Sequence, residues 1–258
     1  MNPLIRAYYW VRKLWFHFFP RKVGKHGSEP ATAPDLPTPT SLPPAPKSWT
    51  SPRIQWQMLG NDTYGDCVVA GILHAIMAVA GRLKYPVSFT TAQADDAYFA
   101  LTGGPDSGLN PPGVFEEWAQ GTLPEPAKTL FGAGGPFVKI DPTNIQQMKN
   151  AIATFGWVGI WVNLQQAQEN QFSNGQRWNY IPGSPPVGGH FVIFTGFDRF
   201  GVGPYTVSWA KGFRSTWSFA TKLGVGAATG ILPPELAAGK YVLPIASLKS
   251  YCAQLPGE

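Results

Sequence analysis

Two side chains of this sequence have types and surroundings that suit nucleophilic chemistry, Cys67 and His190. Cys67 follows a turn-rich segment and opens the apolar stretch 67–80, whose composition predicts a buried helix. Partial positive charge at a helix N-terminus stabilises a thiolate, so Cys67 is a candidate nucleophile that needs a base. His190 opens an apolar strand after two glycines, and we expect its imidazole to be accessible and able to accept the thiol proton.

Each of these residues also has an ordinary structural interpretation. A single cysteine in an apolar helix is more often a buried structural residue, and a histidine on an apolar strand can be satisfied within the core. His17 and His26 lie in a basic N-terminal stretch, and His74 lies two turns beyond Cys67, too far along the helix to meet the thiol. The pair therefore needs support from the rest of the sequence.

The elements that must position this pair follow from the spacing of apolar residues and from the turn signals. Further helices are predicted over 89–101, 111–121 and 144–155, strands over 157–162, 189–197 and 205–209, and loops over 123–142 and 165–186. The last two strands are predicted to form a hairpin across residues 198–204. An early helix followed by a late antiparallel sheet predicts an α+β domain.

The N-terminal part of the chain differs in composition from the rest. Residues 1–26 are predicted to be a basic amphipathic helix, residues 27–53 a proline-rich linker, and residues 54–258 the folded domain. The helix contains too many basic residues to span a membrane, and no convincing cleavable signal peptide is present. Docking to a membrane surface or to a protein assembly, packing on its own domain, and an uncleaved targeting sequence all remain open.

Composition limits the cofactors and partners. The excess positive charge lies in residues 1–26, which leaves the domain nearly neutral and gives no reason to expect nucleic-acid binding. The sequence contains no metal-ligand cluster and no phosphate-binding loop, so we expect no cofactor. The spacing of Cys67 and Cys252 leaves a single disulfide between them open.

Four segments support the pair through a family resemblance. N-D-T-Y-G-D-C-V-V-A at 61–70 resembles the oxyanion and nucleophile-helix segment of papain-like cysteine peptidases, and G-G-H-F-V-I-F-T-G-F-D at 188–198 is similar to their histidine strand. M-K-N-A-I-A-T-F-G-W-V-G-I at 148–160 and S-W-A-K-G at 208–212 keep the order of that family. The similarity covers roughly 54–220, and the first segment also resembles phage-encoded and bacterial papain-like proteins of undefined role.

The resemblance implies a role for each matching residue. It makes Cys67 the nucleophile and His190 the general base and later the acid, with Asn61 and the backbone N–H of Cys67 as donors to the oxyanion. Three further residues are expected to border the substrate or shield the histidine: Trp209, Gly65 and Gly189. It also implies a papain-like α+β fold in which the nucleophile helix packs on an antiparallel sheet.

The sequence departs from the family pattern at two positions. Asn61 stands where the family has glutamine, and its side chain is one methylene shorter. The position that aligns with the histidine-orienting asparagine is Val207, which cannot hold an imidazole tautomer. Ser208 could take this role if the strand shifts by one residue, although such a shift turns a side chain to the opposite face.

Two hypotheses of different classes follow. The first is a cysteine hydrolase that cleaves a peptide or isopeptide bond in a peptide or protein substrate and is anchored through residues 1–26. The second is a weakly active or inactive papain-fold binding or structural protein, for example a component of a phage particle or a surface assembly. A membrane-active effector, a third class, depends on the N-terminal helix alone.

Overall fold

The computed structural model describes residues 42, 44–84, 86–133, 137–230 and 232, and the fold is given for these residues. The N-terminal helix predicted over 1–26 and the position of Cys252 lie outside them. No helix within the described ranges is long and apolar enough to cross a membrane.

The described residues form seven helices and six strands. The helices are α1 (Cys67–Arg82), α2 (Thr91–Thr102), α3 (Pro111–Gln120), α4 (Ala127–Phe131), α5 (Ile145–Phe155), α6 (Gln166–Ser173) and α7 (Trp217–Leu223). The strands are β1 (Phe137–Ile140), β2 (Val158–Gln165), β3 (Pro186–Phe197), β4 (Pro204–Ser208), β5 (Lys211–Arg214) and β6 (Gly224–Gly230).

The six strands make one antiparallel sheet in the order β1-β6-β2-β3-β4-β5. Helix α1 packs against β3, and every residue from Cys67 to Ala80 is buried. A helix that is apolar on all sides has no solvent-facing surface to satisfy, so it lies in the centre of the core. The predicted α+β class, with the Cys67 helix packed on an antiparallel sheet, is confirmed.

Two segments predicted as loops contain regular structure. Residues 123–142 include α4 and β1, and residues 165–186 include α6, which begins with a capping box made by Gln165 and Gln168. The partner of β1 is β6, whose sequence GVGAATG contains almost no residues of high β-propensity. These elements were missed because tertiary pairing and polar capping, rather than apolar periodicity, specify them.

The chain contacts the folded domain before Ile54. The backbone N–H of Ala45 donates to the side chain of Asn150 on α5, and Trp49 forms an antiparallel bridge with Phe197 at the end of β3. The C-terminal part of the proline-rich stretch is therefore packed along the domain.

A β-bulge interrupts the pairing of β3 with β4. Ile193 pairs with Val207, but beyond the bulge Gly196 pairs with Tyr205, so Thr195 is the additional residue on β3. The side chain of Arg82, at the end of α1, donates to the carbonyl of Thr195 over 2.5 Å. The hydroxyl of Thr195 also lies 2.8 Å from that of Ser51. The carbonyl and the hydroxyl of Thr195 thus both have partners although the residue is fully buried.

Candidate active site

A small cavity of about 20 Å³ contains both residues that could react, Cys67 at the start of α1 and His190 on β3. Gly65 and Gly189 also line it. Ser208 and Trp209 contact His190, whereas Asn61 does not line the cavity. The fold therefore brings together residues that are 123 positions apart in the sequence.

Cys67 is a free thiol, 8% exposed, in the first turn of α1. Burial raises its pKa to about 12, and the charge of Asp66 acts in the same direction, although backbone N–H groups of Phe191 and Val68 oppose the shift. The sequence predicts that the helix N-terminus favours a thiolate, but the loss of water around the sulfur outweighs this effect. Burial therefore favours the neutral thiol over the thiolate.

The imidazole of His190 is hydrogen-bonded to Ser208. Its Nε2 lies 2.7 Å from Oγ of Ser208, and both residues are almost completely buried. When the hydroxyl oxygen accepts the Nε2 proton, Nδ1 is the unprotonated ring nitrogen and can accept a proton. The hydroxyl of Ser208 therefore holds one nitrogen of the imidazole ring.

The bulge at Thr195 explains why Ser208, and not Val207, reaches the histidine. The pairing of Val207 with Ile193 places Val207 on the face opposite to His190 and turns Ser208 to the face of His190. Without the additional residue, the register set by the pairing of Gly196 with Tyr205 would continue along β3. The side chains of Val207 and Ser208 would then exchange faces of the sheet. The one-residue shift that the sequence left open is thus present.

An aromatic wall covers the histidine. The indole of Trp209 is stacked on the His190 ring at 4.6 Å between centroids, and Phe172 and Trp178 pack against Trp209. Trp209 and Ala210 form the two-residue turn between β4 and β5 with φ of 45° and 56°. This left-handed geometry costs about 1–2 kcal/mol per non-glycine residue, and here it directs Trp209 onto the histidine.

Two glycines allow the histidine strand to approach the cysteine helix. The ring of Phe191 lies against Gly71 of α1 and Gly159 of β2, in the space that a Cβ on either residue would need. Because Phe191 follows His190, this contact brings the histidine strand close to the helix that begins with Cys67.

Asn61 is bonded to the residue that precedes the nucleophile. Its side-chain Nδ2 donates to Oδ1 of Asp66 over 2.9 Å, and both side chains are buried. Burial raises the pKa of Asp66 to about 8, with a further contribution from the charge of Asp95. The proposed donation by Asn61 to an oxyanion stays a prediction, and its observed contact is with Asp66.

Asp106 fixes the opposite side of the cavity. Its Oδ1 accepts from the N–H of Gly65 over 2.9 Å and from the hydroxyl of Tyr98 over 2.7 Å, and Tyr98 in turn accepts from the N–H of Gly108. In the sequence, Asp106 stands in a turn-like G-P-D-S-G stretch that does not indicate these contacts. Only its spatial position reveals the hydrogen bonds that it accepts.

Other candidate groups lie away from the pair. His74 is buried and bonded to the carbonyl of Gln57, and burial lowers its pKa to about 4. A larger cleft of about 1220 Å³ lies between residues 48–56 and the β3–β5 edge, but neither Cys67 nor His190 lines it. Across the described ranges, no three His, Cys, Asp or Glu side chains lie where they could hold a metal ion.

Comparison with known proteins supports the architecture. No protein-family model matches the chain, and no curated protein sequence matches it significantly. Among solved structures, xylellain, a cysteine protease from Xylella fastidiosa, superposes with a TM-score of 0.60 at 14% identity, covering 82% of this chain and 97% of its own. Digestive procathepsin L 3 of Tenebrio molitor larval midgut superposes with a TM-score of 0.52 at 14% identity, covering 81% of this chain and 76% of its own. The chain therefore has the fold of the papain-like cysteine proteases.

Proposed function

We propose that this protein is a cysteine hydrolase that cleaves a peptide or isopeptide bond with Cys67 as nucleophile and His190 as general base. The observation that carries the proposal is the shared cavity of Cys67 and His190, together with the hydrogen bond between Ser208 and Nε2 of the histidine. A nucleophile, a base and a third group that orients the base are the recurring requirements of covalent acyl transfer.

The neutral thiol determines how the first step proceeds. Nδ1 of His190 takes the proton of Cys67 as the sulfur forms its bond to the carbonyl carbon, and the carbonyl π electrons move to the oxygen. Collapse of this intermediate breaks the bond to the leaving amine, which receives the proton from His190. Water then hydrolyses the thioester, again with His190 as base, and the thiol is regenerated.

The start of α1 supplies stabilisation of the oxyanion. The backbone N–H of Cys67 belongs to the first helical turn, where N–H groups have no partner within the helix and the helix dipole favours negative charge. Asn61 stays the proposed second donor, because its amide has one N–H beyond the one given to Asp66.

A second candidate is a weakly active or inactive binding protein, and two observations favour it. Burial raises the pKa of Cys67 far above neutrality, and a serine hydroxyl, unlike a carboxylate, supplies no negative charge to stabilise the imidazolium. Both features lower the population of the ion pair between the Cys67 thiolate and the His190 imidazolium.

Cleavage of a diverse synthetic peptide library, followed by mass spectrometry, discriminates the two candidates. We expect cleavage by the wild-type protein and none by Cys67→Ala, with the folding of each protein checked by circular dichroism. Cleavage that survives in Cys67→Ala, or no cleavage together with an inert Cys67, would eliminate the hydrolase proposal.

The N-terminal residues give a separate proposal that rests on sequence alone. We propose that residues 1–26 dock the protein on a membrane surface or a protein assembly, because their sequence pattern predicts basic side chains opposite an aromatic face at helical spacing. Deletion of these residues should abolish sedimentation with anionic vesicles or with the assembly. Unchanged sedimentation in both assays would contradict docking.

A further inference from the structure

The cavity beside Cys67 and His190 is lined by two kinds of residue. Three glycines, Gly65, Gly108 and Gly189, form its glycine wall, and Leu109, Pro111 and Trp161 form its bulky, apolar wall. A volume of about 20 Å³ holds roughly one water molecule and no side chain of ordinary size.

The bulky wall is fixed in place. Trp161 pairs with Gly226 across β2 and β6, and its indole lies over this glycine in the space that a Cβ would occupy. Only 6% of Trp161 is exposed. Because Gly226 lets the ring lie flat on the neighbouring strand, the position of Trp161 is set by the sheet.

The glycine wall is also fixed. The hydrogen bonds from Gly65 to Asp106 and from Gly108 to Tyr98 hold the two loop backbones, and the contact between Tyr98 and Asp106 joins them. Gly108 has a φ of 75°, which side chains rarely adopt. These hydrogen bonds therefore fix the narrow width of the cavity.

We propose that the site selects glycine at the substrate residue whose carbonyl Cys67 attacks. This inference rests on the proposed hydrolase function. The attacked carbonyl must lie against the thiol and the imidazole, and both groups line the narrow cavity, so the residue carrying it also lies against the glycines and the bulky residues that line this cavity. A side chain on that residue would overlap one of the two walls, whereas glycine places only hydrogen atoms there.

The expected selectivity is large. One additional methylene in a fitted pocket changes discrimination by about 10- to 200-fold, so alanine should react about 10-fold more slowly than glycine and leucine about 100-fold or more. Acyl chains that end in glycine, joined through a peptide or isopeptide bond, are the substrate class that this geometry fits.

Peptidyl chloromethyl ketones test the inference on the full-length protein, because they alkylate a cysteine only after their terminal residue occupies the site. The probes are Ac-Ala-Ala-Gly, Ac-Ala-Ala-Ala and Ac-Ala-Ala-Leu chloromethyl ketone, and the rate of Cys67 modification is measured by mass spectrometry. Trp161→Ala should bring the leucine probe within about 10-fold of the glycine probe. Leu109→Ala opens the same wall with a smaller core change, and the exposed Val225→Ala is the matched control.

The outcomes separate the two proposals. Faster labelling by the glycine probe, relaxed by either wall variant but not by Val225→Ala, supports glycine selectivity. Equal rates for all three probes, with labelling that still requires His190, overturn the selectivity and leave the hydrolase proposal standing. No labelling by any probe overturns both.

Discussion

The guanidinium of Arg82 donates to the carbonyl of Thr195, the unpaired residue of the bulge in β3. This contact links the end of the cysteine helix to the register of the histidine strand. Since the bulge turns Ser208 toward His190, Arg82 supports the orientation of the base from the far end of α1.

Replacement of Arg82 tests this support. Arg82→Leu leaves the buried carbonyl of Thr195 without its donor, and we expect a loss of about 1–3 kcal/mol in the free energy of unfolding together with slower modification of Cys67. Urea unfolding measures the first effect and alkylation kinetics the second. Arg53→Leu, at an exposed position, should change neither.

Replacement of Ser208 tests the orientation of the histidine directly. Ser208→Ala removes the partner of Nε2, so turnover should fall by about 10- to 100-fold while the fold is retained. Nitrogen NMR of His190 should show that the proton no longer resides on Nε2 alone. The exposed Ser218→Ala is the control, and a Ser208→Ala protein with wild-type turnover and tautomer would refute the assigned function of the hydroxyl.

Two glycine substitutions in helices should have opposite effects. Gly71→Ala forces its Cβ into the Phe191 ring, so it should destabilise the protein by about 1–3 kcal/mol despite the better helix propensity of alanine. Gly113→Ala on α3 meets its nearest neighbour only at 3.8 Å and should be neutral or stabilising by up to about 1 kcal/mol. Thermal unfolding distinguishes them, and equal effects would contradict the close approach of β3 to α1.

Asp66 should make the protein less stable as the pH rises. Its pKa is raised from 3.8 to about 8, so between these values the folded protein binds more protons than the unfolded chain. The stability that Asp66 contributes is therefore lost as the pH rises from about 4 to about 8. Asp66→Asn keeps an acceptor for Asn61 and should flatten this dependence, with a gain on the order of a few kcal/mol at pH 8.

Urea unfolding between pH 5 and pH 8.5 checks the prediction for Asp66. The exposed Glu117→Gln is the control and should keep the wild-type slope. An Asp66→Asn protein that loses stability with pH as steeply as the wild type would contradict a protonated Asp66 in the fold.

The sequence predicted the chemistry-bearing helix and strand because both are continuous apolar segments next to glycines. Cys67 and His190 follow from such local signals, and their shared cavity follows from the fold that the resemblance implies. Trp161 and Asp106 could not be predicted, because one depends on a pairing with Gly226 and the other on a loop 41 residues from Gly65. Likewise, a bulge supported by a contact with Arg82 leaves no periodic signal in the sequence. The choice between Val207 and Ser208 as the partner of His190 therefore stayed open.

The reactivity of Cys67 tests the central claim most directly. The rate of alkylation by iodoacetamide at pH 7.5 is measured for the wild-type protein and for His190→Ala, with native circular dichroism required of both. We predict that the loss of His190 slows modification of Cys67 by about 100-fold or more, because the buried thiol then has no base to take its proton. Equal rates in the two proteins would contradict a Cys67–His190 catalytic pair.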